Sequence, residues 1–349
     1  MVSDLKRQGA SSTRGSRRSR LITPKTWADF FQGDRLSCAR LITAVENHPE
    51  LIPDIRHRLI PRLKGAIRIG ITGPPGVGKS TVTAALARRA IQAHHAVGII
   101  AVDPSSPFTG GAFLGDRVRM QGLNGGHNLF IRSQASREGH GGLSPSTPHA
   151  ADILDAFGLD RIFIETVGVG QAELDVLTWT DLILLVLQPS TGDGIQALKA
   201  GILEVADIFL INKSDLPGTE MLLDSLRFLF DIRARPKDDS IPPILTASAV
   251  QDVGLDEVYA ELERRIGGLV QSGEYQRKKR FLMEREIMNS IRQDLWDKFS
   301  RTANAPEEIP AAAERITARG RSPYPYIRRV CSQVKIQYKK ERASRGQGE

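Results

Sequence analysis

Short, uniformly apolar runs alternate with helix-like stretches through the middle of the chain. Ile67, Ile69 and Ile71 mark the first run, and others follow at 97–102, 161–165, 182–187, 208–211 and 243–246, with a shorter one at 129–132. Runs this brief and this apolar predict strands buried on both faces, as in a parallel sheet sandwiched between helices. The expected fold class is therefore α/β, a mostly parallel sheet covered by helices on both faces. Ahead of it, from Thr26 to Leu63, Trp27, Phe30, Phe31, Leu36, Leu41, Ile42 and Val45 recur at helical spacing, and Pro49, Pro53 and Pro61 divide the stretch into two or three short helices. Beyond Gln271 the residues Phe281, Ile287, Ile291, Leu295 and Phe299 mark long charged amphipathic helices, expected to break at Pro306, Pro310 and Pro323. The pattern thus divides the chain into a tail (1–24), an N-terminal helical segment (25–64), an α/β domain (65–270) and a C-terminal helical arm (271–349).

Charge changes this picture only at the ends. The net charge of +8 comes from residues 1–20, with six basic side chains against Asp4, and residues 312–349, with ten against three acidic ones; residues 21–311 are left near −4. The first tail, rich in Ser, Arg and Gly, is expected to be disordered. Its composition also suits an organellar transit peptide, although it lacks the apolar face such peptides show. A cytoplasmic location is the plain expectation. No apolar run approaches the ~20 residues of a membrane span. Cys38 and Cys331 lie far apart without metal-ligand spacing, which suits a reducing compartment. No aromatic-interleaved basic patch supports specific nucleic-acid binding.

The chemistry concentrates at the carboxyl ends of the predicted strands. The first strand runs into Gly73-x4-Gly78-Lys79-Ser80 and then a helical run, the context a phosphate-binding P-loop requires. Glycines turn the backbone N–H groups inward to cradle phosphates at a helix N-terminus. Gly73, Gly76, Val77, Gly78, Lys79, Ser80 and Thr81 are the expected nucleotide contacts; Lys79 reaches the β- and γ-phosphates and Ser80 ligates Mg²⁺. Asn212-Lys213-Ser214-Asp215 ends another strand at the same edge. A carboxylate at Asp215 accepts both N1–H and N2–H of guanine, a donor pair adenine lacks. The Lys213 stem can lie along the base, Asn212 can tie this loop to the P-loop, and Ser248 and Ala249 end the next strand where N–H groups meet the guanine oxygen. Asp103 and Glu165 also end strands here, where they can hold Mg²⁺ beside Ser80 or act merely as strand-end turn residues. GTP and Mg²⁺ are the expected ligands.

Two longer stretches carry a family resemblance. Residues 103–120, from Asp103-Pro-Ser-Ser-Pro to Gly115-Asp116-Arg117-Val-Arg119-Met120, and 164–173, Ile-Glu-Thr-Val-Gly-Val-Gly-Gln-Ala-Glu, resemble the signatures of the MeaB/ArgK family of SIMIBI-class P-loop GTPases. The resemblance covers roughly Trp27 to Tyr324 and implies a P-loop NTPase core, a homodimer built through the C-terminal arm, and a chaperone of an adenosylcobalamin-dependent acyl-CoA mutase such as methylmalonyl-CoA mutase. GTP hydrolysis would gate cofactor loading and protect the mutase. By motif match the metal residues are Ser80, Asp103, Asp116 and Glu165, and the catalytic ones Lys79, Asp103, Glu165 and Lys199, the last in a switch loop at 191–199. Gly194, Ala197, Gln134, Glu138, Pro145 and Pro325 depart from the family pattern. No residue is an evident built-in arginine finger; Arg117, Arg119, Arg132 and Arg137 are candidates, with surface or structural ion pairing the expected role of at least two of them. Two other readings are a kinase acting on an amino-acid transport system, the label carried by ArgK-type sequences, and a nickel-insertion GTPase, for which His94 and His95 would be the nearest ligands.

Overall fold

The computed structural model describes residues 22–104, 126–136, 146–166, 179–189, 206–232, 242–303 and 305–333. Seven strands form one sheet: β1 (Ile67–Thr72), β2 (Val97–Pro104), β3 (Leu129–Ser136), β4 (Arg161–Glu165), β5 (Leu182–Leu187), β6 (Ile208–Asn212) and β7 (Ile244–Ala247). Their order is β3-β2-β4-β1-β5-β6-β7, and every pairing is parallel. The chain leaves β1 toward β2 and β3, returns through β4, then departs the other way through β5, β6 and β7. The sheet's crevice therefore opens at the carboxyl end of β1, between β4 and β5, where α/β sheets bind ligands.

The period-two alternation of each strand feeds two helical layers. One face carries Ile69, Ile71, Ile99, Phe163, Leu184 and Leu210, closed by α4 (Lys79–Gln92) and α7 (Leu255–Gln271). The opposite face is split. Ile100, Val102, Ile162 and Ile164 meet α1 (Pro24–Phe31), α2 (Arg35–Asn47), α3 (Ile52–Leu59) and α5 (Thr147–Phe157), while Ile183, Leu185, Phe209 and Ile211 meet α6 (Thr219–Ile232). The N-terminal helices thus share one apolar cluster with the sheet. Their starts are set locally: Thr23 and Thr26 cap α1 reciprocally, and the Asp34 carboxylate accepts from the Ser37 N–H to cap α2.

At the split lies Arg68, on β1 and only 7% exposed. Its Nη2 donates to Asp152 Oδ1 at 2.5 Å, and Arg56 Nε donates to Asp152 Oδ2 at 3.0 Å. Asp181 accepts from the Arg68 backbone N–H at 2.8 Å. Burial by itself would raise the Asp152 pKa, but the two guanidinium groups more than offset it and hold the carboxyl below its ordinary range. His149, one turn earlier on α5, is pushed down to about 4 by burial, with Arg56 and Arg68 acting in the same direction.

The chain divides into two compact units after Tyr275, whose hydroxyl donates to the Gly65 carbonyl at 2.9 Å. The second unit holds most of α8 (Glu274–Ala303), then α9 (Ala305–Ala318) and α10 (Tyr324–Gln333). Of the three expected breaks only the one at Pro310 is corrected: Pro323 lies between α9 and α10, and Pro306 stands where α9 begins. Pro306 falls in the first turn of α9, where its missing N–H is one of the unbonded ones, and the helix continues through Pro310. Pro325 likewise occupies the first turn of α10, starting that helix rather than breaking it.

Candidate functional site

The sequence Gly-Pro-Pro-Gly-Val-Gly builds a loop that other residues could not follow. Gly73, Gly76 and Gly78 have φ of +142°, +80° and +94°, a region closed to most L-residues. A Cβ on Gly73 would stand 2.0 Å from the Val186 carbonyl oxygen, and one on Gly78 would stand 2.5 Å from Asn212 Nδ2. Gly78 leads directly into α4, so the loop delivers Lys79 and Ser80 at a helix N-terminus. Lys79, 7% exposed, donates to the carbonyls of Gly73 at 3.0 Å and Pro74 at 3.1 Å. Ser80 Oγ donates to Glu165 Oε1 at 2.6 Å, joining the first turn of α4 to the carboxyl end of β4. One residue on, the Thr166 hydroxyl donates to that of Thr72 at 3.1 Å, closing the ends of β4 and β1.

The second half of the site rises from β6 and β7. Asn212, 2% exposed, donates through Nδ2 to the Val77 carbonyl at 2.7 Å and accepts at Oδ1 from the Ala249 N–H at 3.0 Å. One side chain therefore bonds the phosphate-type loop and the loop after β7. Lys213 takes the left-handed conformation (φ +59°) and donates to the Gly76 carbonyl at 2.7 Å. For a lysine that backbone is strained, and such strain persists where surrounding contacts over-determine it. Asp215 Oδ1 accepts from Ser248 Oγ at 2.5 Å, which fixes the carboxylate. The loop carrying Ser248 is closed by a two-way bridge with Val253 and by Gly254, where a Cβ would stand 2.4 Å from the Thr246 carbonyl oxygen.

These contacts bring Gly73, Gly76, Val77, Gly78, Lys79, Ser80, Glu165, Asn212, Lys213, Asp215, Ser248 and Ala249 to one edge of the sheet. Thr81 follows on the first turn of α4. Asp103 is placed by its backbone, in register with Ala135. Asp116 and Lys199 lie outside the described residues, as do Arg117, Arg119, Arg137, Glu138, Pro145, Gly194 and Ala197. Arg132 is engaged with Glu46 through Nε at 2.9 Å and with Thr43 at 3.1 Å. His95 sits at the opposite edge, 3.4 Å from Asp160 Oδ2. Sequence reasoning missed the Thr72–Thr166 pair and the fixing of Asp215 by Ser248; a hydroxyl residue ending an otherwise apolar strand was the available signal.

The donor set at the P-loop corner is all oxygen: a serine hydroxyl and a carboxylate within hydrogen-bond distance. Hard oxygens of this kind suit Mg²⁺, which binds through one or two carboxylates plus phosphate and water. Backbone N–H groups at the start of α4 suit phosphate, and the fixed Asp215 carboxylate suits a base with two adjacent N–H donors.

Residues 38–304 match the protein family described as methylmalonyl Co-A mutase-associated GTPase MeaB. A protein of Pyrococcus abyssi named as a GTPase is 42% identical over 262 residues, spanning 74% of this chain and 81% of its own. GTPase ArgK of Escherichia coli is 34% identical, across 74% of this chain and 83% of its own. The mouse protein named methylmalonic aciduria type A homolog, mitochondrial, is 29% identical across 86% and 76%. In fold, the crystal structure of a LAO/AO transport system kinase superposes with a TM-score of 0.65 at 24% identity, covering 89% of this chain and 98% of that one.

Proposed function

Because the chain belongs to the MeaB family of methylmalonyl-CoA mutase-associated GTPases, we propose that it binds GTP with Mg²⁺ and hydrolyses it to GDP and phosphate. That cycle gates adenosylcobalamin loading into an acyl-CoA mutase of the methylmalonyl-CoA type and protects the enzyme. The observation that carries the nucleotide reading is the Asn212 bridge. It joins a loop fit for phosphates to a loop whose Asp215 carboxylate is held by Ser248.

In this reading the N–H groups of residues 76–81 cradle the phosphates. Lys79 leaves the carbonyls of Gly73 and Pro74 to neutralise charge on the β- and γ-phosphate oxygens as water attacks phosphorus and the bond to the β-bridging oxygen breaks. Asp215 reads guanine, Lys213 covers the base and Ala249 offers its neighbourhood's N–H groups to O6. Ser80 and Glu165, with Asp103 and Asp116, would hold Mg²⁺, which would supply charge neutralisation to the phosphates. Lys199 answers the partner from the switch loop, and the chain works as a homodimer through its arm. Hydrolysis by the isolated chain is slow, and the partner accelerates it by ordering the switches, an effect worth about 10³–10⁵ in comparable systems.

Calorimetric titration with Mg²⁺ tests the core of this. GTP binds at least about 10⁴-fold more tightly than ATP, because adenine offers the Asp215 carboxylate no N1–H and N2–H donor pair, and Asp215→Ala removes most of that preference. Equal affinities refute the guanine reading. Adding the mutase raises phosphate release; a rapid basal rate that the mutase leaves unchanged refutes the gating.

A further inference from the structure

Among the described residues, the last ones of β2 have a single neighbour in the sheet. β2 pairs with β4 only as far as Ala101 against Glu165. Beyond that, Val102, Asp103 and Pro104 lie in register with Gln134, Ala135 and Ser136 of β3 alone. Among the described residues β3 is the edge strand and has no partner on its far side. Whatever fixes the end of β3 therefore fixes the backbone of Asp103 at the ligand edge.

Gln134, 2% exposed, does this from both ends of its amide. Its Nε2 donates to Glu46 Oε1 of α2 at 2.9 Å, and its Oε1 accepts from the hydroxyl of Thr147, the first residue of α5, at 2.8 Å. Arg132, two residues earlier on the same face, donates to the same Glu46 carboxylate and to Thr43. Apart from the Arg68–Asp152–Arg56 cluster, this layer meets the sheet largely through apolar side chains such as Leu41, Val45, Phe130 and Leu154. A leucine or methionine at 134 would satisfy that packing. It would not define an orientation, because only an amide donates to a carboxylate at one end while accepting from a hydroxyl at the other.

We propose that Gln134 is a positioning residue for GTP hydrolysis. Clamped between Glu46 and Thr147, its amide sets where β2 delivers Asp103. The N-terminal helical segment, through Glu46, is then part of the catalytic apparatus rather than a cover over the sheet. The inference rests on the nucleotide reading above and adds to it a role for residues that touch no nucleotide.

The test uses the full chain and three variants. Gln134→Glu keeps the acceptor for Thr147 but sets a carboxylate oxygen against Glu46. The double variant Glu46→Gln/Gln134→Glu returns one amide and one carboxylate to the pair with the donor reversed. Thr147→Val removes one clamp and perturbs the fold least. We expect Gln134→Glu to lower kcat for GTP about tenfold or more, as displaced supporting groups do, with KM and calorimetric GDP affinity within about twofold of wild type. Thr147→Val should lower kcat in the same way, and the double variant, which also takes the Glu46 carboxylate from Arg132, should recover part of it. An unchanged kcat in Gln134→Glu, or in Thr147→Val should the first not fold, overturns the inference. So does a joint loss of kcat and GDP affinity that the swap leaves uncorrected. A wild-type chain that binds no GTP overturns this inference and the nucleotide reading together, whereas brisk wild-type hydrolysis beside an indifferent Gln134 overturns this one alone.

Discussion

Replacing Gly78 by alanine should cost far more than replacing Gly76, although both glycines share one loop and a positive φ. At Gly76 (φ +80°) a Cβ meets nothing within 4 Å, so the penalty is that of a left-handed backbone for an L-residue, about 1–2 kcal/mol. At Gly78 (φ +94°) the same backbone penalty applies, and the new Cβ would stand 2.5 Å from Asn212 Nδ2. An ordinary contact needs 3.4 Å or more, so the amide must move by about an ångström, and it belongs to a side chain only 2% exposed in a close-packed interior. Moving it breaks the bonds to Val77 O and from Ala249 N–H, each worth about 0.5–1.5 kcal/mol net. The total is about 2–5 kcal/mol for Gly78→Ala against 1–2 for Gly76→Ala. With a shift of about 2–4 °C per kcal/mol in a domain of this size, the nucleotide-free thermal midpoint should fall by about 4–20 °C in the first and 2–8 °C in the second. Differential scanning calorimetry of the two variants side by side reads the contrast. Equal midpoints would refute the claim that Asn212 is wedged against Gly78, and with it the shared geometry of the two loops.

Asp152→Asn should destabilise the fold by about 3–5 kcal/mol, because it strips the counter-charge from a buried Arg68 and its neighbour Arg56; the double change Arg68→Met/Asp152→Leu should recover much of this in urea unfolding. Since the Asp152 pKa is held below its ordinary value, its contribution is present above pH ~4 and fades as pH falls through the folded value. His149 acts in a separate window. Its folded pKa of about 4 lies below the ordinary 6.5, so the unfolded chain takes up a proton between these values that the folded chain refuses, and stability falls as pH drops from 6.5 to 4. His149→Gln should flatten that decline by up to about 3 kcal/mol; identical acid slopes for variant and wild type would show that His149 titrates normally.

The sheet was legible because a strand buried on both faces is mainly apolar, and β1, β2, β4, β5, β6 and β7 each carry a short run of such residues, with the polar ones mostly at their ends. The apolar pattern of β3 fades at Arg132 but the strand continues to Ser136, since Gln134 and Arg132 are polar residues that find partners on α2 and α5 rather than water. Pro310 misled for a related reason, because a proline signal is local while the rest of α9 carries the helix through it. Lys79, Ser80, Asn212 and Asp215 stood out in the sequence because their chemistry fixes their spacing within a few residues. The Arg68–Asp152–Arg56 cluster and the Glu46–Gln134–Thr147 clamp did not, because each joins positions more than eighty residues apart or on different elements. No short-range pattern encodes such pairs.

A side chain that serves two masters makes their energies inseparable. Asn212 lies 135 positions from Val77 in the chain and 37 from Ala249, yet a change on either side is felt through the same amide. Damage to the phosphate end and damage to the purine end should therefore not sum: once the first has loosened the amide, the second has less left to remove. Two distant sequence motifs behave, thermodynamically, as one mutational unit.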